Sequence, residues 1–174
     1  MNLKSVFRNV VKFFYVKKRK GVCDMPYSIF DIAEWFLQKE SMTNKKLQKM
    51  CYYAQAWYCT LFAGEQLIND EFQAWVHGPV SPSLYRKYSD YGWTDIPPSN
   101  RTLAIDGKTE EYLNLIYETF SKFSGDQLEI MTHREDPWLN QRKGFEPDEP
   151  CNNVITLDDM RKFYSKLKRD SQLE

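Results

Sequence analysis

A long run of apolar side chains at helical spacing lies between Thr43 and Gly64. Thr43 is suited to cap the start of a helix, and Gly64 is suited to end it. The apolar residues, which recur at steps of three and four, are Leu47, Met50, Cys51, Ala54, Trp57, Tyr58, Leu61 and Phe62. A stripe this broad predicts a central helix that other elements cover on more than one side.

Cap and proline signals predict further helices on both sides of this central helix. Residues 72–77 alternate apolar and polar side chains, which favours a short strand that ends at Gly78-Pro79. The predicted helix starts lie at Ser28, Ser81, Thr109, Ser124, Asp136 and Thr156. We therefore predict a mainly α fold, a compact helical domain of about six to seven helices with at most a small β-hairpin or short strands.

The chain is expected to form one domain with an N-terminal appendage. A length of 174 residues with 42% hydrophobic content suits a single packed core. Residues 25–170 form the predicted domain. We expect residues 1–24 to form a basic amphipathic N-terminal helix or extension, because residues 1–23 hold seven Lys or Arg and no acid. Three interpretations of the extension stay open: a helix docked on the domain or a partner, a helix on an anionic membrane surface, and a segment with little order of its own.

Charge and cysteine usage exclude several classes of protein. Residues 24–174 hold the other 17 basic residues and all 24 acids, a net charge of −7, so no nucleic-acid partner is expected for the domain. The four cysteines have no C-x-x-C spacing and only two histidines accompany them, so no metal framework is predicted. Without a signal peptide, we expect a cytoplasmic protein with reduced thiols, in which Cys51 and Cys59 are buried apolar groups.

Three segments in order carry a resemblance to a known family. They read KLQKMCYYAQAWY at 46–58, FQAWVHGPV at 72–80 and THREDPW at 132–138. Together they resemble the Panacea domain, the SocA-like antitoxin domain also seen in phage-associated GepA-like proteins. The resemblance runs from about residue 27 to residue 164, and Met50 and Cys51 stand where aliphatic residues are expected.

The resemblance implies an antitoxin that binds and neutralises a cognate protein toxin, usually encoded by the adjacent gene. Some members are thought to act as adaptors that hand the toxin to a protease. From the motifs that the sequence lacks, we predict no catalytic residue, cofactor or metal. The residues that carry the resemblance, called the signature residues below and expected to be mostly structural, are Leu47, Gln48, Lys49, Tyr53, Ala54, Trp57, Ala74, Trp75, Gly78, Pro79, Val80, Thr132, His133, Glu135, Pro137 and Trp138.

Two other functions are weighed against binding. A hydrolase would use His133 with Glu135 as an oriented base, and a metal site would add His77 and Asp136. The sequence lacks a nucleophile elbow, an H-E-x-x-H helix and a glycine-rich phosphate loop, so histidines hydrogen-bonded within structural turns are preferred. A DNA-binding autoregulator would need residues 1–24 as its contact, since no helix-turn-helix is evident.

Two further groups of residues have a structural and a functional interpretation. Trp57, Trp75 and Trp138 are predicted to lie in the core, with a partner hot spot as the alternative. Lys45, Lys46 and Lys49 lie opposite the apolar stripe of the central helix. A solvated face is predicted for these lysines, with a toxin-docking strip as the alternative.

Overall fold

The computed structural model describes residues 25–170, which are mainly α-helical as predicted. The predictions for residues 1–24 lie outside the described residues. Within residues 25–170 the α-helices number seven: α1 (Ile29–Lys39), α2 (Asn44–Leu61), α3 (Pro82–Tyr88), α4 (Gly107–Phe120), α5 (Gly125–Thr132), α6 (Asp136–Gln141) and α7 (Leu157–Asp170). A 3₁₀ turn at Ser89–Tyr91 follows α3. No helix within 25–170 combines the length and apolar character needed to cross a membrane.

Five short strands form two small antiparallel sheets. The strands are β1 (Met42–Thr43), β2 (Phe72–Trp75), β3 (Gly78–Val80), β4 (Asp95–Ile96) and β5 (Val154–Ile155). β1 pairs with β4, and β2 lies between β3 and β5. Strands β2 and β3 form a hairpin over residues 72–80, in which Trp75 pairs with Gly78. It is called the β2–β3 hairpin below. The strand predicted from the alternation in residues 72–77 is confirmed for Phe72–Trp75, whereas Gly78-Pro79, predicted to break it, begin the next strand.

Helix α2 is the centre of the fold, as its broad apolar stripe predicted. It packs against α1, α4, α5, α7 and the hairpin strand β3. Its burial extends beyond the apolar stripe, because Gln48, Lys49 and Gln55 are each only 1% exposed. A helix enclosed on this many sides must find hydrogen-bond partners for its polar residues inside the protein.

Large rings fill the space between α2 and its neighbours. The Tyr53 ring stacks on Phe120 of α4 with centroids 4.2 Å apart, and Trp57 lies 5.1 Å from Tyr164 of α7. The thiols of Cys51 and Cys59 are buried and free, as predicted, and burial raises the pKa of the Cys59 thiol to about 12. Interlocked rings hold α2 in place against α4 and α7.

The side-chain caps explain where most of the helices begin. Thr43 caps α2, Ser81 caps α3, and Ser124 forms a capping box with Gln127 at α5, all as predicted. Thr156 and Asp159 exchange hydrogen bonds in the same way at the start of α7. Ser28 caps α1 through the amide of Phe30.

Two predicted helix starts are wrong. Helix α4 begins at Gly107 rather than Thr109, because the Asp106 carboxylate accepts hydrogen bonds from the backbone amides of Lys108 and Thr109. Asp136 does not cap α6; Glu135 occupies the cap position and gives no side-chain cap. The carboxylate of Glu135 points into the core instead, where it has other partners.

Candidate functional site

The β2–β3 hairpin is held in place by side chains from distant helices, and Gln48 of α2 is one of them. The Gln48 amide accepts a hydrogen bond from Ser81 N at 2.9 Å and donates to Ser81 O at 3.3 Å. Gln48 therefore satisfies the backbone of Ser81, the residue directly after β3, and ties the end of the hairpin to α2.

Lys49, the residue after Gln48 in α2, reaches the turn of the hairpin. Its Nζ donates to Pro79 O at 3.1 Å. A Cβ on Gly78 would lie 2.8 Å from Lys49 Cε and 2.8 Å from Thr132 Oγ1, and the φ of Gly78 is +90°. Only glycine fits between these two side chains with that backbone conformation, which explains this signature position.

Side chains of α6 and of the residue after it bind the backbone of strand β2. Trp138 Nε1 donates to Trp75 O at 2.9 Å, and Arg142 Nη1 donates to Ala74 O at 3.0 Å. Arg142 also binds the backbone carbonyls of Glu146 and Glu149, which ties the loop after α6 to the hairpin. All three signature segments therefore meet at this hairpin.

A groove of about 1150 Å³ opens beside the rigid hairpin. Its walls come from the start of α2, the hairpin, α3, the Gly92-Trp93 loop and residues 148–152. The rings of Trp75 and Tyr85 of α3 pack edge to face, with their centroids 5.1 Å apart. Two of the lining aromatic residues are exposed: Trp93 is 74% exposed and Tyr85 is 43% exposed. Exposed rings on a concave surface are typical of protein-binding sites.

An ion-pair network lies at one end of this groove. Lys45 Nζ is 2.7 Å from Glu129 Oε2 and 2.8 Å from Asp126 Oδ1, and His77 Nδ1 is 3.0 Å from Glu129 Oε1. Burial alone would raise the pKa of Glu129, but the hydrogen bonds from Lys45 and His77 outweigh it and lower the pKa. Glu129 therefore stays ionised and holds both side chains at the groove.

The prediction of a solvated lysine face is wrong. Lys49 is only 1% exposed, and the side chains of Lys45 and Lys46 are 16% and 14% exposed. Lys46 pairs with Glu40 and donates to Ser121 O, so elements distant in sequence cover this side of α2. Burial lowers the pKa of Lys49 to about 7, although the nearby charge of Glu129 opposes the shift.

Glu135 and His133 do not form an oriented acid–base pair. Glu135 is fully buried and accepts hydrogen bonds from Tyr53 Oη at 2.9 Å and Tyr164 Oη at 2.5 Å. Burial raises its pKa to about 8, although both tyrosines oppose the shift. The His133 ring stacks on Trp138 with centroids 4.0 Å apart, and burial lowers the pKa of His133. Among the described residues no His, Cys, Asp and Glu group of three or more is placed to hold a metal ion.

The remaining predicted residues divide between the core and the groove. Trp57 is fully buried and Trp138 is 9% exposed, which confirms the core prediction for both, whereas Trp75 lines the groove. The core signature residues are Leu47, Tyr53, Ala54, Trp57, Ala74, Thr132 and Glu135. The signature residues that line the groove are Gln48, Lys49, Trp75 and Val80.

Sequence reasoning missed three residues of the site: Tyr85, Trp93 and Arg142. Trp93 had a usable signal, because a tryptophan in a loop of turn-forming residues belongs to no apolar stripe and stands apart from the core pattern. Tyr85 looked like part of the apolar face of α3. Arg142 had no usable signal in the sequence, because its hydrogen-bond partners are backbone carbonyls up to 68 residues away.

Comparison with family models identifies the domain. The model of the antitoxin SocA-like, Panacea domain matches residues 47–139, just over half of the chain. The chain belongs to this family. The matched span of this Panacea-domain chain contains all three signature segments except Lys46, and it includes the hairpin with Gln48, Lys49 and Trp138 around it. Comparison with curated proteins and with solved structures gives no significant match.

Proposed function

We propose that this chain is a cytoplasmic antitoxin that binds a cognate protein toxin in the groove beside the β2–β3 hairpin and thereby neutralises it. Membership of the SocA-like antitoxin family supports the class of function. The observation that carries the choice of surface is Trp93, a side chain 74% exposed at the edge of a groove that signature residues line. Tryptophan dominates the energetics of many protein interfaces when it is buried on binding.

The hairpin gives this surface the rigidity that binding favours. Its backbone accepts hydrogen bonds from Lys49, Trp138 and Arg142, and Gln48 bonds the backbone of Ser81 directly after it. We therefore expect the groove to be formed before the toxin binds. A preformed site loses little conformational entropy when it binds. We expect the toxin to be neutralised by steric cover, with no catalytic step by the antitoxin.

The arrangement around Glu135 supports this non-catalytic role. A general base must reach a proton of the substrate, whereas Glu135 is enclosed by Tyr53 and Tyr164 in the core. Rescue that persists with His133→Ala is expected for the same reason. Turnover of an ester, peptide or nucleotide that His133→Ala abolishes would restore the hydrolase hypothesis.

Coexpression with the product of the adjacent open reading frame tests the proposal. We expect that product alone to arrest growth and the full-length chain to restore it. The double variant Tyr85→Ala, Trp93→Ala should fail to rescue, while Leu139→Ala, which removes an exposed apolar residue on α6 away from the groove, should rescue fully. Equal rescue by both variants would place the interface elsewhere.

An adaptor role is a separate extension of this proposal. An antitoxin that hands its toxin to a protease would shorten the half-life of the toxin in the cell. Pulse-chase labelling with and without the antitoxin measures this directly. A toxin half-life unchanged by the antitoxin would leave steric cover as the mechanism.

A further inference from the structure

The indole ring of Trp93 is contacted by side chains from two other elements of the fold. Lys45 Nζ of α2 lies 5.2 Å from the centroid of the ring. The ring of His77, in the turn of the hairpin, meets the indole edge-on, with the two centroids 6.3 Å apart. A cation over an aromatic face is attracted by the negative charge of that face. These contacts give the indole a defined place at the groove although it is 74% exposed.

The backbone around Trp93 has mainly local hydrogen bonds. Gly92 N donates to Ser89 O, and Thr94 N donates to Tyr91 O, so both bonds stay within one turn. Strand β4 then anchors the chain at Asp95. Local bonds of this kind fix the shape of a turn, but they do not orient an exposed side chain that extends from it. The contacts with Lys45 and His77 are therefore the ones that join the indole itself to the groove wall.

Glu129 of α5 holds both of these side chains. One of its carboxylate oxygens lies 2.7 Å from Lys45 Nζ, and the other lies 3.0 Å from His77 Nδ1. The side chain of Glu129 is only 15% exposed, and Glu129 is absent from the groove lining. Solvent and salt screen a partly buried ion pair less than an exposed one. Glu129 is thus placed to affect the groove through its two partners rather than through its own surface.

We propose that Glu129 positions Trp93 for toxin binding by fixing Lys45 and His77 against the indole ring. This inference rests on the proposed function and names a residue that controls the same site from outside it. A ring that is already held in place loses less conformational entropy when a partner covers it. Without the charge of Glu129, Lys45 keeps only its ion pair with the exposed Asp126, and His77 loses its carboxylate partner.

A double-mutant cycle between Glu129 and Trp93 tests the proposal. Calorimetric titration of the full-length chain with the purified product of the adjacent gene gives the dissociation constant. Glu129→Gln, which keeps the shape of the side chain without its charge, should weaken binding by about threefold. In the Trp93→Ala background the same substitution should change the dissociation constant by less than about 1.5-fold, because the ring that Glu129 positions is gone.

The matched control is Asp126→Asn. It removes the other carboxylate that pairs with Lys45, at 2.8 Å from Nζ, but the Asp126 side chain is 81% exposed. Exposed ion pairs contribute little, so this variant should bind the toxin within about 1.5-fold of wild type. Thermal unfolding of each variant confirms that it is folded. If Glu129→Gln does not fold, Lys45→Met removes the cation beside the indole and replaces it in the cycle, with the same expected results.

The environment of the indole in the free chain is a second readout that needs no toxin. In the full-length chain labelled with fluorotryptophan, the fluorine resonance of Trp93 is identified by its loss in Trp93→Phe. Glu129→Gln should shift and narrow this resonance as the ring gains freedom, while the resonance of the buried Trp57 stays in place. A Trp93 resonance that Glu129→Gln leaves unchanged would overturn the inference.

The outcomes of the titration separate this inference from the proposed function. Failure of the wild-type chain to bind the gene product, or equal binding by wild type and Trp93→Ala, would overturn the proposed function and this inference with it. Binding that Trp93→Ala weakens and Glu129→Gln leaves unchanged would overturn the inference alone. Equal weakening by Glu129→Gln in both backgrounds would also overturn it, because Glu129 would then act independently of Trp93.

Discussion

Two fully buried ionisable residues, Glu135 and Lys49, lie in opposite circumstances in this molecule. The carboxylate of Glu135 has a tyrosine hydroxyl on each oxygen, inside an aromatic interior. The ammonium of Lys49 has one hydrogen-bond partner among the described residues, Pro79 O, and the residue is only 1% exposed. The difference teaches that burial alone does not identify a functional residue, because the hydrogen bonds of the buried group decide what its burial costs.

The largest expected effect is on the interior. Glu135→Ala removes the acceptor of two buried tyrosine hydroxyls and leaves a cavity, so we expect a loss of about 4 kcal/mol in the free energy of unfolding. Urea denaturation monitored by tryptophan fluorescence measures it. Glu135→Gln, which keeps the shape of the protonated acid, should lose about 1 kcal/mol or less at pH 6. A loss below about 1 kcal/mol for Glu135→Ala would contradict the structural role assigned to Glu135.

The pH dependence of stability provides a second effect on the same residue. The pKa of Glu135 is raised from 4.5 to about 8 in the folded state, so only the folded protein holds this proton between those values. The contribution of Glu135 is then fully present below pH 4.5 and is lost as pH rises towards 8, with a slope approaching 1.4 kcal/mol per pH unit. The difference between wild type and Glu135→Gln isolates this slope from other groups. Parallel stability curves for the two proteins from pH 5 to pH 8 would contradict it.

At pH 7 the smallest effect on stability is expected at Lys49. Lys49→Met loses one hydrogen bond to Pro79 O but removes the cost of burying an ammonium group, so the free energy of unfolding at pH 7 should change by about 1 kcal/mol or less. The pKa of Lys49 is lowered from 10.5 to about 7, so wild-type stability gains from this residue as pH rises from 7 to 10.5, and the variant lacks that gain. Chemical denaturation of wild type and Lys49→Met at pH 7 and pH 9.5 measures the effect of the substitution and the gain in stability with pH. A loss at pH 7 as large as that of Glu135→Ala would make Lys49 a structural residue.

The sequence predicted the parts of the fold that local patterns determine. The three- and four-residue steps from Leu47 to Phe62 placed the central helix, and Thr43, Ser81 and Ser124 marked helix starts correctly. Each of these signals acts within a few residues, through a cap or a helical face. The start of α6 escaped prediction because Glu135 has partners at Tyr53, 82 residues away, and at Tyr164, 29 residues away.

The candidate site was predicted less well for the same reason. The signature residues pointed to the three segments that meet at the hairpin, but periodicity assigned Lys49 to a solvated face. Its burial depends on the hairpin turn, 30 residues further along the chain. Trp93 joins the groove through the position of a loop, which no repeat in the sequence reports.

The central claim is that the groove beside the β2–β3 hairpin grips the toxin, and the dissociation constant of the complex tests it most directly. Titration of the adjacent gene product with the wild-type chain, Trp93→Ala and Leu139→Ala compares an exposed groove residue with an exposed residue elsewhere. We predict that Trp93→Ala weakens binding by about tenfold or more while Leu139→Ala binds as wild type does. Equal dissociation constants for all three proteins would contradict the account.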